Sequence, residues 1–301
     1  MFLILAAYIT LGCYLIRRLP WNDSERSYLD VDHIEMARRY REEFGEVMPR
    51  RMPFRLPGEY LIYAWVPRHR PALGRVAALI VSSFGVYLMM AYASHLAGPR
   101  AGLIAGLIVL SSPTLVSLLC SASYVAPVAT LWVGGWYALD LGWPSIALGC
   151  AVLLALLRAS AWGMSLALLA FLPYGYSLPA AWLLIAYLWG CQREVVLSQG
   201  WARLIRREPC PVWGIPQDGW HYGFRVLVRR YEGLIPWVLF AVIMGVYSSQ
   251  GARILAITAV VFVATHLPRA LIRPKWTVGY VPEFLLVAAV GVSALLAHAT
   301  P

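Results

Sequence analysis

Charge is the scarcest property of this sequence. Only 13% of its 301 residues are charged and 15 are acidic, whereas a soluble domain carries about a quarter charged side chains. That deficit argues against a soluble fold. Cysteine is also sparse: the five cysteines form no Cys-x-x-Cys pair and no Cys/His cluster of zinc spacing, which removes a zinc module and a disulfide scaffold from consideration. Cys13, Cys120 and Cys150 lie inside apolar runs and read as small core residues. Cys191 and Cys210 share one polar segment and read as free thiols, with a disulfide the alternative if that segment faces an oxidising compartment. No internal repeat, linker or low-complexity tract divides the chain, so residues 1–301 read as a single helical domain.

What the sequence does have is apolar length. Hydrophobic residues make up 60% of it, with 13 Trp and 17 Tyr suited to membrane-water interfaces. Runs long enough to cross a hydrocarbon core fall at 2–16, 75–97, 101–119, 124–139, 145–157, a shorter pair at 161–173 and 178–190, then 233–250, 253–268 and 284–299. The expected fold is an all-α polytopic membrane protein of about ten transmembrane helices. The first run has no basic region before it and no cleavage site after Arg17-Arg18, and reads as a retained span. Pro173, Gly175 and Pro179 leave two readings of the pair, a hairpin of short spans or one long kinked helix.

With the pair counted as two, the polar segments 17–74, 191–232 and 269–283 emerge on one face, and the turns at Gly98-Pro99-Arg100, Asp140 to Pro144 and Ser248 to Arg253 lie opposite. The polar face gathers 22 of the 25 Lys and Arg residues and 14 of the 15 acids. Such a surface suits an anionic partner in the membrane plane, lipid phosphate or a phosphate-linked lipid, rather than nucleic acid. The competing reading is topological, since basic loops are retained on the cytoplasmic side without any ligand.

In the first segment Ile34, Ala37, Tyr40 and Phe44 recur at helical steps, predicting an amphipathic surface helix over 33–44 stopped by Gly45. Asp30 and Asp32 stand at its entrance, where a carboxylate can take a proton from an acceptor hydroxyl or hold a divalent cation against phosphate. Asp32, with Glu35 three residues on, also fits a capping box. Asp30, one step before the cap, has no such structural role. His33 reads as a helix-surface residue. Arg51 and Arg55, in the proline-broken stretch 49–60, are candidate phosphate clamps or solvated arginines. Arg158, at the end of an apolar run, either snorkels to the interface or marks a site. Asp140 reads as a helix-end residue, and His95, His266 and His298 carry no pattern.

Four stretches together resemble the GT-C superfamily, the integral-membrane glycosyltransferases that use polyprenyl-phosphate-linked sugars. Asp30-Val31-Asp32-His33-Ile34-Glu35-Met36-Ala37 is similar to the acidic motif and surface helix of that family's first external loop. Leu73-Gly74-Arg75 through Gly98-Pro99-Arg100-Ala101 to Ser111-Ser112-Pro113 resembles its second and third spans. His221-Tyr222 with Leu234-Ile235-Pro236-Trp237, and Pro274-Lys275-Trp276 through Tyr280 to Phe284, resemble later external segments and span starts.

The resemblance implies an inverting transfer of a sugar from a polyprenyl phosphate to a glycan, lipid or protein acceptor. Asp30, or Asp32 in its place, would act as the base. Arg51, Arg55 and Lys275 would offset phosphate charge, His221 and Arg225 would meet the sugar, and Tyr280 would line the same site. A divalent cation, Mg²⁺ or Mn²⁺, is the candidate cofactor, with Asp32 as its ligand. The active loops would face the external or periplasmic side of a plasma or inner membrane. The alternative is a non-enzymatic transport or assembly subunit that binds anionic membrane lipids through the same basic face.

Overall fold

The computed structural model describes residues 1–18, 62–63, 65–67, 70, 72–157, 161–191, 253–254, 256–258, 260–261 and 282–299. Among these residues helix dominates and no strand occurs, in agreement with the expected all-α class. The helices are α1 (Phe2–Arg18), α2 (Ala72–Ala97), α3 (Pro99–Leu110), α4 (Pro113–Leu119), α5 (Val125–Asp140), α6 (Pro144–Leu157), α7 (Trp162–Phe171), α8 (Tyr174–Cys191) and α9 (Pro282–Ala299). The expected spans at 233–250 and 262–268, the 33–44 surface helix and nearly all of the three polar segments lie outside the described residues.

Helix ends follow local chemistry. Gly98, at φ 82°, turns the chain between α2 and α3, a backbone setting that favours glycine, and Pro99 opens α3 with a preset φ. After α5, Gly142 at φ 73° closes the end: its N–H donates to Leu139 O at 3.0 Å while Trp143 N–H donates to Ala138 O at 2.8 Å. That double closure satisfies carbonyls a helix terminus otherwise leaves open.

One expected span is corrected. Residues 101–119 do not form a continuous helix but two, α3 and α4, broken at Ser111-Ser112. Pro113 lacks the N–H that a through-helix needs and its ring crowds the carbonyl four residues back. Ser112 then caps α4, its Oγ accepting from Leu115 N–H at 3.3 Å. The short pair forms two helices as well, because Leu172 is extended and Pro173 follows it, while Pro179 is accommodated inside α8.

At the centre, α2 packs on α1, α3, α5 and α9. It runs antiparallel to α1, as Tyr8 meets Ser82 and Ile16 meets Arg75. It runs parallel to α5, as Thr130 Oγ1 donates to Val81 O at 3.1 Å and Tyr92 stacks near Tyr137. Small residues permit this closeness: a Cβ on Gly85 would meet the Thr130 side chain and lie 3.3 Å from its Cα. The buried side of α2 carries Gly74, Arg75, Ala78, Ser82, Gly85 and Ala93.

Its outward stripe is large and apolar: Val76, Ile80, Phe84 and Tyr87 are 41, 65, 56 and 43% exposed. Among the described residues α2 is the one helix long and apolar enough to cross a membrane, with α3 and α6 apolar but shorter. Its 26 residues span about 39 Å, against a hydrocarbon core of about 30 Å.

Candidate functional site

The helix directions give the bundle two ends. At one, the end of α1 and the start of α2 bracket the first polar segment, and the 120–124 connection between α4 and α5 meets them. At the other lie Met1, the Gly98 turn and the Gly142 turn, with Ser94 Oγ 3.9 Å from Met1 Sδ.

None of the sequence-derived site residues can be placed in this geometry. Asp30, Asp32, Arg51, Arg55, His221, Arg225, Lys275 and Tyr280 all lie outside the described residues, as do His33 and Arg158. The divalent cation assigned to Asp32 falls there too. Among the described residues no three His, Cys, Asp or Glu side chains converge.

What is described is a buried polar seam leading to the first end. Deepest is the Tyr8 hydroxyl, which donates to Ser82 Oγ at 2.8 Å, while Ser82 Oγ donates to Leu79 O at 3.1 Å. A turn further along, a Cβ on Gly12 would sit 3.1 Å from Cys120 Sγ, so α1, α2 and the end of α4 touch there. Next comes Arg75, fully buried, whose Nη1 donates to Ile16 O at 3.3 Å. A guanidinium placed on the last carbonyls of α1 meets the negative end of that helix, which favours a cation. Arg75 is the one fully buried charge among the described residues.

Beside it the connection Ser121 to Tyr124 is buried although no regular element carries it. Its serines stand in for the missing ladder: Ser121 Oγ donates to Leu118 O at 2.6 Å and lies 2.9 Å from Ser123 Oγ, which accepts from Val125 N–H at 3.4 Å. Tyr63, the part of the first polar segment nearest α2 that is described, caps this connection by donating to Ser123 O at 2.7 Å. Buried irregular backbone is tolerated at such depth only where polar groups are satisfied by protein or line a cavity.

Sequence reasoning named Arg75 only as the head of a span, and missed Tyr63, Ser121 and Ser123. The available signals were an arginine directly after a glycine at the mouth of an apolar run, and a Ser-Ala-Ser-Tyr stretch interrupting one.

The opposite end holds a second polar group. Asp140 ends α5, and the rings of Tyr92 and Tyr137 lie 5.4 Å apart, with His95 6.0 Å from Tyr137. This end carries no residue from the expected catalytic set. The chain matches no family model, no curated protein and no solved structure.

Proposed function

We propose that this chain is a multi-pass membrane glycosyltransferase that moves a sugar from a polyprenyl-phosphate donor to an acceptor at the membrane surface. The membrane part is supported by the inverted surface of α2, where large apolar side chains face out and glycine, alanine, serine and arginine face in. A soluble core helix hides its apolar stripe; a helix in lipid exposes it and packs through small residues. The sugar-transfer part is supported by the ordered resemblance of four sequence stretches, starting with Asp30-Val31-Asp32.

The observation that carries the reading is the buried Arg75 seam where the first polar segment joins the bundle. A cation sunk at a membrane-facing helix end is expensive unless it organises a polar site. In this reading it anchors the root of the segment that bears Asp30 and Asp32. Asp30 takes the proton from the acceptor hydroxyl as the new glycosidic bond forms. Arg51, Arg55 and Lys275 stabilise the departing lipid phosphate, and His221 and Arg225 orient the sugar. Asp32, alone or with Mg²⁺ or Mn²⁺, assists at the phosphate, and Tyr280 lines the same pocket. The active face is external or periplasmic.

Asp30→Asn is the test. Purified wild-type protein supplied with polyprenyl-phosphate sugars and membrane extract releases the free polyprenyl phosphate, and the variant, folded and melting like wild type, loses at least about a hundredfold of that turnover, as expected for a missing general base. Turnover that survives Asp30→Asn and Asp32→Asn alike refutes the assignment. Retention of anionic lipid by wild type with no turnover from any donor favours the non-enzymatic subunit instead.

A further inference from the structure

We infer that Asp140, with Tyr92, Tyr137 and His95, binds an ammonium group at the end of the bundle opposite the first polar segment. Asp140 is the only carboxylate whose side chain is among those described. It is the last residue of α5, where the backbone dipole already presents negative charge, so an anionic side chain there is disfavoured unless a cation compensates it. Its Oδ2 is buried and has no hydrogen-bond partner. An ionised carboxyl oxygen held away from water in that state is costly.

The surroundings say which cation fits. Tyr92 is fully buried and its hydroxyl stands against Asp140 without closing a hydrogen bond in good geometry. Its ring lies 5.4 Å from that of Tyr137, and the His95 ring 6.0 Å from Tyr137. Aromatic faces beside one carboxylate are the environment of an organic ammonium, which needs one counter-charge and polarisable walls. A hard metal ion instead takes six or so oxygens, and no cluster of ligating side chains forms among the described residues.

Two sources present such a group. The neighbouring Trp143 is 53% exposed, as suits a residue at the depth of lipid headgroups. The headgroup of an amine-bearing phospholipid reaches that depth, and a small amine from solution reaches it as well. The lipid source rests on the membrane reading; neither depends on sugar transfer.

Thermal unfolding of the purified full chain in detergent separates the possibilities, with phosphatidylethanolamine, phosphatidylglycerol or free ethanolamine added. Phosphatidylethanolamine is expected to raise the midpoint of wild type by roughly 2–4 °C or more over phosphatidylglycerol, and Asp140→Asn to abolish that difference. Ethanolamine acting alone at millimolar concentration assigns the site to a soluble amine; ethanolamine inert beside active phosphatidylethanolamine assigns it to lipid. Equal shifts by the two lipids with inert ethanolamine, or an amine-specific shift that survives Asp140→Asn, overturn the inference. If Asp140→Asn does not fold, Tyr137→Phe keeps the aromatic face and the shift, while Tyr137→Leu loses the shift; equal behaviour of these two overturns it.

Discussion

Gly85→Ala adds one methyl group to α2, and on an isolated helix that change stabilises by about 1 kcal/mol through backbone entropy. Here the added Cβ would run into the Thr130 side chain of α5, with Thr130 Cβ at 3.2 Å and Cα at 3.3 Å. The hydroxyl can turn away, but doing so breaks its 3.1 Å bond to Val81 O, a loss of about 1 kcal/mol. The backbone contact cannot turn away, and spreading two packed helices costs about 1–3 kcal/mol. The steric terms exceed the entropic one, so Gly85→Ala is expected to destabilise by about 1–3 kcal/mol. Reversible unfolding of the detergent-solubilised protein in mixed micelles of rising denaturing detergent measures it. Thr130→Ala alone is expected to cost about 1 kcal/mol and, combined with Gly85→Ala, to add less than the sum of the two, since the collision partner is gone. A Gly85→Ala protein more stable than wild type would show that helix propensity wins and that α2 and α5 do not approach at this point.

Other substitutions report on other joints. Tyr8→Phe removes the hydroxyl that donates to Ser82 and is expected to cost about 0.5–1.5 kcal/mol in the same unfolding assay. Arg75→Met strips the charged donor from Ile16 O and is expected to cost about 2 kcal/mol; trypsin is expected to cut the first polar segment faster in that variant. Ser112→Ala removes the cap that receives Leu115 N–H, a loss of about 1 kcal/mol.

Legibility in the sequence tracked the range of the physics. Helix positions followed from apolar runs and from Pro and Gly, which act within a few residues: α1, α2, α5, α6 and α9 fall within three residues of their expected starts and ends. The 101–119 span failed where hydrophobic continuity was trusted over Pro113, although Ser112-Pro113 is a local stop-and-restart signal. The seam of Tyr63, Arg75, Ser121 and Ser123 was not legible, because it depends on which helices touch, and periodicity carries no such information. Asp140 was read correctly as a helix-end residue, but its sealed oxygen is a consequence of Tyr92 arriving from α2, 48 positions earlier in the chain. The expected catalytic residues fall outside the described residues, so their convergence stands as a proposal.

Side-specific thiol labelling meets that proposal head on. In a cysteine-free background, single cysteines placed at Asn22, Gln217 and Thr277 sample the first, second and third polar segments. In sealed, oriented vesicles a membrane-impermeant reagent is expected to reach all three from one side only, and the same side for each. Labelling of any one of them from the opposite side would leave no common pocket for donor phosphate, and sugar transfer by these residues would be contradicted.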